Sequence, residues 1–162
     1  MSEGFLVEAA VSNVGHTMEA TQRFLEAKQR YPALGSEDWA QATALAFEML
    51  MQEDGCSEEA KPEWWNDEGL KALSAACVKA APNGAAANAM RAAVLSGRCG
   101  ASEAGHRLRS AAELWEAAAH YERAAAMEPA PGAFRAGFAD LADWCRSKAC
   151  RGRVRAEATL KW

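Results

Sequence analysis

The chain predicts an all-α fold of about six helices in three antiparallel hairpins, and three observations carry that expectation. Residues that favour strands are scarce: there are 6 valines, 4 threonines and no isoleucine, against 39 alanines, the strongest helix formers. Prolines 32, 62, 82, 129 and 131 fall where apolar stretches begin or end, positions at which proline opens or stops helices. One spacing occurs twice, Ala20/Phe24/Ala27/Pro32 and Ala117/Tyr121/Ala124/Pro129. It reads as a helix with small residues and an aromatic on one side, ended by proline. The rival architecture for the same residues is an irregular α-helical bundle.

The stop signals order the elements. A first helix is expected from about Glu3 to Arg30, bent near Gly15 and ended at Tyr31-Pro32, because the residue before proline is pushed out of helical geometry. Ser36-Glu37-Asp38 supplies an N-cap and acids for a first turn, opening a second helix through Met51 that stops near Asp54-Gly55. Pro62 suits the first turn of a third, whose best part is Asp67 to Ala80. Asn83 caps a fourth through Leu95, closed by Ser96-Gly97. Ser102-Glu103 opens a long fifth to Met127, and Pro131-Gly132 leads into a sixth through about Lys148. No Gly/Ser linker or low-complexity tract interrupts the series, so residues 1–150 read as one helical domain and 151–162 as a basic tail that can continue the last helix. A length of 162 residues fits one domain, by the usual ~100 to 200 residues per domain.

Charge is uneven beneath the net value of −4. Residues 1–68 carry 4 Lys/Arg against 14 Asp/Glu, residues 69–145 carry 8 against 7, and residues 146–162 carry 6 against 1. The basic end (Arg146, Lys148, Arg151, Arg153, Arg155 and Lys161) is the one hint of a nucleic acid or acidic-protein contact. Cations near a helix C-terminus account for it without a ligand. No apolar run reaches the ~18 residues of a membrane span, and the N-terminus lacks the basic and apolar segments of a signal peptide, so the expectation is a soluble, intracellular, cytoplasmic protein.

Aligning the prolines adds a middle copy, Leu70/Ser74/Cys77/Pro82, with steps of 50 and 47 residues. At Gly105, Ala117, Tyr121, Ala124 and Pro129 the chain resembles the tetratricopeptide repeat family, with a partial match at Ala20 to Pro32. Leu108 stands where that family prefers tyrosine, and Ala101 and Ala104 replace its Trp and Leu. The resemblance implies a right-handed array of helical hairpins and a non-enzymatic scaffold that binds a peptide or partner helix in the groove between the first helices of successive hairpins. Those helices, about 36–53 and 84–96, offer Trp39, Gln41, Phe47, Glu48, Asn88 and Arg91. The Lys/Asn set with which some family members hold a carboxylate terminus has no counterpart here.

Other chemistry finds little support in the residues. Cys56, Cys77, Cys99, Cys145 and Cys150 are odd in number and include no C-x-x-C pair, which suits neither a disulfide framework nor a zinc site. Cys99, beside Arg98 in a short loop, is the thiol whose surroundings favour a thiolate; a plain exposed loop cysteine is the simpler expectation. His16, His106 and His120 have no metal-binding spacing, and Glu113, Glu116 and Glu122 read as a solvated helix face. No cofactor motif is present. Trp64-Trp65 is the most unusual local feature: adjacent residues point about 100° apart on a helix, so one ring can enter the core while the other meets a partner. The expected partner-binding set is therefore Trp39, Phe47, Trp64, Trp65, Asn88 and Arg91. The alternative is a small-molecule or enzymatic bundle with a pocket near His120 and Tyr121.

Overall fold

The computed structural model describes residues 35–52, 66–99, 109–127 and 133–159, and these form five helices with no strand among them. The expected helix from Glu3 to Arg30, and Trp64 and Trp65, lie outside the described residues.

Helix α1, Glu37–Gln52, begins as its sequence demands. Ser36 Oγ accepts a hydrogen bond from the Trp39 amide at 3.1 Å, and Glu37 and Asp38 complement the positive end of the helix dipole. Helix α2, Asp67–Ala80, is capped by Asn66, whose Oδ1 accepts from the Gly69 amide at 2.9 Å. Helix α3, Ala85–Ser96, follows Gly84 rather than an Asn83 cap, and no side chain satisfies its first amides. Its C-terminus closes on Gly97 at φ +75°, with the Gly97 amide donating to Val94 O at 3.2 Å and the Arg98 amide to Ala93 O at 3.0 Å. That paired return, with a glycine in the left-handed region, satisfies carbonyls the last turn would otherwise strand.

Helix α4, Ala111–Met127, corrects one expectation. Arg109 and Ser110 are not helical, so the helix does not run continuously from Ser102. The physical reason is a capping box: Ser110 Oγ accepts from the Glu113 amide at 3.2 Å, while Glu113 Oε2 accepts from the Ser110 amide at 2.8 Å. Helix α5, Ala133–Thr159, is longer than expected and carries the chain past Lys148 and across the 150/151 boundary as one element.

Helix α3 is the centre of the packing. It lies against α1, α2 and α4, and α4 in turn packs most extensively on α5. One apolar cluster joins Trp39 and Phe47 of α1, Leu70 and Cys77 of α2, and Met90 and Val94 of α3. A second joins Ala92 and Leu95 of α3, Ala117 and Tyr121 of α4, and Ala142 and Cys145 of α5. Alanines at these contacts bring helix axes close together, and the tyrosine ring fills what they leave. Tyr121 is 2% exposed and stacks on Phe138 with ring centroids 6.1 Å apart. Among the described residues no helix is long and apolar enough to cross a membrane.

Candidate partner-binding groove

A groove of about 600 Å³ opens on one side of α3, with α1 and α5 as its walls. Its lining on α1 is Ala44, Phe47, Glu48 and Met51, with Leu45 beside them; its floor on α3 is Ala86, Ala89, Met90 and Ala93. Both sets follow the i, i+3, i+4, i+7 spacing of a single helix face. Phe138 and Leu141 of α5 complete the far wall, Tyr121 reaches in from α4, and Arg98 stands in the loop after α3. The floor is deep because three of its four principal residues are alanine.

Polarity is confined to the rim. Glu48 and Arg98 are exposed. Burial pushes the Tyr121 hydroxyl above its ordinary pKa, opposed by hydrogen bonds with Ser96 and Arg98 and by the Arg98 charge. Burial likewise raises the Cys145 thiol, against the fields of Arg98, Lys148 and Arg146. Both groups thus hold their protons more tightly than a free tyrosine or cysteine.

The opposite side of α3 is a polar seam. Asn88 is fully buried; its Nδ2 donates to Pro82 O at 3.0 Å and Gly84 O at 2.9 Å, and its Oδ1 lies 2.8 Å from His120 Nδ1. Arg91 pairs with Glu116 at 2.8 Å and donates to Lys71 O at 2.9 Å and Ser74 Oγ at 3.3 Å, tying α3 to both α2 and α4. Further along, Lys71 bridges Asp67 at 2.9 Å and Glu113 at 2.6 Å, and Arg109 reaches Asp67 at 2.5 Å. Burial opposes the ionisation of Glu113, but hydrogen bonds from Lys71 and Ser110 outweigh it and bring the pKa down to about 2. His120 is pushed below its ordinary value by burial first and then by Arg123 and Arg91, against the opposing pull of Glu116.

The structure sorts the predicted site residues. Phe47 and Glu48 line the groove. Trp39 is 8% exposed and belongs to the α1/α2/α3 core cluster, so its ring is not presented to a partner. Asn88 and Arg91 lie on the far side of α3, where their side chains are engaged with neighbouring helices. Glu113, Glu116 and Glu122 are not a free solvated face: each pairs with a cation on another element, Lys71, Arg91 and Arg146 respectively. Cys99 is 2% exposed rather than an exposed loop residue, and burial raises its pKa, with Arg109 opposing. His120 does not line the groove, whereas Tyr121 does.

Among the described residues no cluster of three His, Cys, Asp or Glu side chains is placed to hold a metal ion. The residues that sequence reasoning missed are the alanine floor, Met51, and the Phe138/Leu141 wall; spacing could have joined Met51 to Phe47 on one face of α1, but the alanines on every side of α3 gave no such signal. No protein-family model matches the chain, and no curated protein or solved structure is similar enough to place it in a family.

Proposed function

We propose that this chain is a non-enzymatic interaction module that holds a peptide or a partner helix in the groove between α1, α3 and α5. The observation that carries the reading is that alternate helices of the series line one continuous apolar groove. A tetratricopeptide-like array of helical hairpins has that arrangement, its first helices facing the ligand and its second helices behind them. On this reading α1/α2 and α3/α4 are two hairpins and α5 opens a third. Helix-in-groove recognition uses anchors at i, i+3, i+4 and i+7, the spacing that the α1 and α3 linings themselves show.

Filling the floor tests the reading. In an affinity capture from native lysate, a partner retained by the unaltered protein and lost by Ala89→Trp, with the helical circular dichroism spectrum unchanged, supports it. No specific protein retained, or retention indifferent to Ala89→Trp, overturns it. A small-molecule site beside Tyr121 is the second reading, favoured by the position of that ring in the groove. A ligand that raises Tm for the unaltered protein but not for Ala89→Trp would shift the assignment to it.

A further inference from the structure

Resting on the groove reading above, we propose that the occupant is an acidic amphipathic helix, held with its apolar stripe on the alanine floor and its carboxylates against Arg98 and Lys148. The first argument is shape. The floor from Ala86 to Ala93 spans about 10 Å at 1.5 Å per residue, two turns of a helix lying along it. Alanine at Ala86, Ala89 and Ala93 lets another backbone come close, which an α-helix with small or medium side chains exploits. No strand edge exists among the described residues, so an extended peptide has no backbone ladder to join.

The second argument is charge. Arg98 stands on the groove lining, and Lys148 follows the groove residue Leu141 by seven positions on α5, hence on the same face of that helix. Neither has an ion pair with any described residue, whereas Lys71, Arg91 and Arg109 of the seam behind α3 are all matched by carboxylates. Exposed cations alone are ordinary; one of these lines the apolar groove and the other lies on the face of α5 that forms its wall. Beside them Trp144 is 39% exposed, with the Lys148 ammonium 4.6 Å from the centre of its ring. A large apolar ring with a cation over it, beside a groove lined by a second cation without a carboxylate partner among the described residues, complements a helix that carries acids beside its hydrophobic stripe. Glu48 on the opposite wall disfavours acids there and sets which way round the charges lie.

The test uses two fluorescein-labelled synthetic peptides of about 18 residues, long enough to hold a helix. They share one Leu/Ala stripe and differ only in a Glu or a Lys polar face, and binding to the full chain is followed by anisotropy. The acidic peptide is expected to bind about tenfold more tightly than the basic one at low salt, with the margin shrinking as salt is added. The double charge reversal Arg98→Glu/Lys148→Glu is expected to invert the order. Equal binding of both peptides, unaffected by charge reversal but abolished by Ala89→Trp, overturns the acidic-helix inference and leaves the groove reading standing. Binding of neither peptide, or binding that survives Ala89→Trp, overturns both. Charge-dependent binding to phosphatidylserine vesicles without binding of the acidic peptide also overturns the inference, and identifies an anionic membrane surface as what these cations meet.

Discussion

His120 and Asn88 are buried against one another across the α3/α4 interface, ring Nδ1 to amide Oδ1 at 2.8 Å. The pair has a defined proton position. The Asn88 amide nitrogen is committed to the Pro82 and Gly84 carbonyls, which turns its oxygen to the imidazole, so the ring bears its hydrogen on Nδ1. Replacing Asn88 by alanine strands that N–H and the Pro82 carbonyl, while the Gly84 carbonyl keeps the backbone amide of residue 88. We expect a loss of about 2 kcal/mol or more, since an unsatisfied buried polar group costs ~1–3 kcal/mol. Urea denaturation measures it, and a change near zero would mean that water reaches the site.

The same imidazole makes stability pH-dependent in one direction. Its folded pKa lies below the ordinary 6.5, so the unfolded chain binds the proton more readily. The contribution is fully present above the unfolded value and is lost as pH falls from there through the folded value. Asn88 and Arg91 face the ring from α3, and Glu116 and Arg123 from α4. Stability followed from pH 7.5 down to about 5 should decline more steeply for the unaltered chain than for His120→Gln. Parallel curves would remove His120 from the account.

A second acid-sensitive site sits at the start of α4. Glu113 has its pKa brought down to about 2 from 4.5, so what it contributes is present above 4.5 and disappears as pH falls towards 2. Lys71→Met removes the partner whose hydrogen bond lowers it most. The Glu113 carboxyl should then titrate distinctly higher in an NMR experiment, and an unmoved resonance would show that Ser110 alone holds it down.

Two glycines make opposite predictions. Gly97 sits at φ +75°, and a Cβ there would lie 3.1 Å from Arg109 Nε, a group anchored by its ion pair with Asp67. Gly97→Ala should cost about 1–2 kcal/mol from the left-handed backbone alone. Gly137 lies within α5 with nothing inside 4 Å of an added Cβ, so Gly137→Ala should stabilise by about 0.5–1 kcal/mol. Thermal melts of the two variants, compared side by side, check both signs.

Tyr121 joins the second core cluster to the groove. Tyr121→Ala should cost about 3 kcal/mol or more, because the ring is buried against Phe138 and the α3 and α5 alanines. Tyr121→Phe keeps the ring and removes only the hydroxyl that meets Ser96 and Arg98, so about 1 kcal/mol is expected. A loss below about 1 kcal/mol for the alanine variant would place the ring outside the load of the α3/α4/α5 packing.

Among the described residues helix existence was legible in the sequence and helix faces were not. Helix α2 coincides with the best part read for the third helix, Asp67 to Ala80, but it does not open at Pro62, because the extended Asn66 caps it. The start of α4 was misplaced although Ser110-Ala111-Ala112-Glu113 spells a capping box, since Ser102-Glu103 upstream offers the same residue types. Faces failed for a different reason. In α3, Ala85-Ala86-Ala87-Asn88-Ala89 is uniformly small, so no hydrophobic stripe distinguishes the groove side from the seam side. Asn88 and Arg91 are polar residues on a helix packed on several sides, and only the tertiary structure shows that they turn inward to His120 and Glu116.

On the proposed reading helix α3 would meet a partner with methyl groups, and this decides how the groove can be damaged. Truncation to alanine, the usual way to map a binding surface, leaves Ala86, Ala89 and Ala93 as they are and would report the floor as silent. Its natural lesions would be additions: a single base change that swaps Ala89, which belongs to neither apolar core cluster, for valine or glutamate would leave both clusters intact and fill the groove.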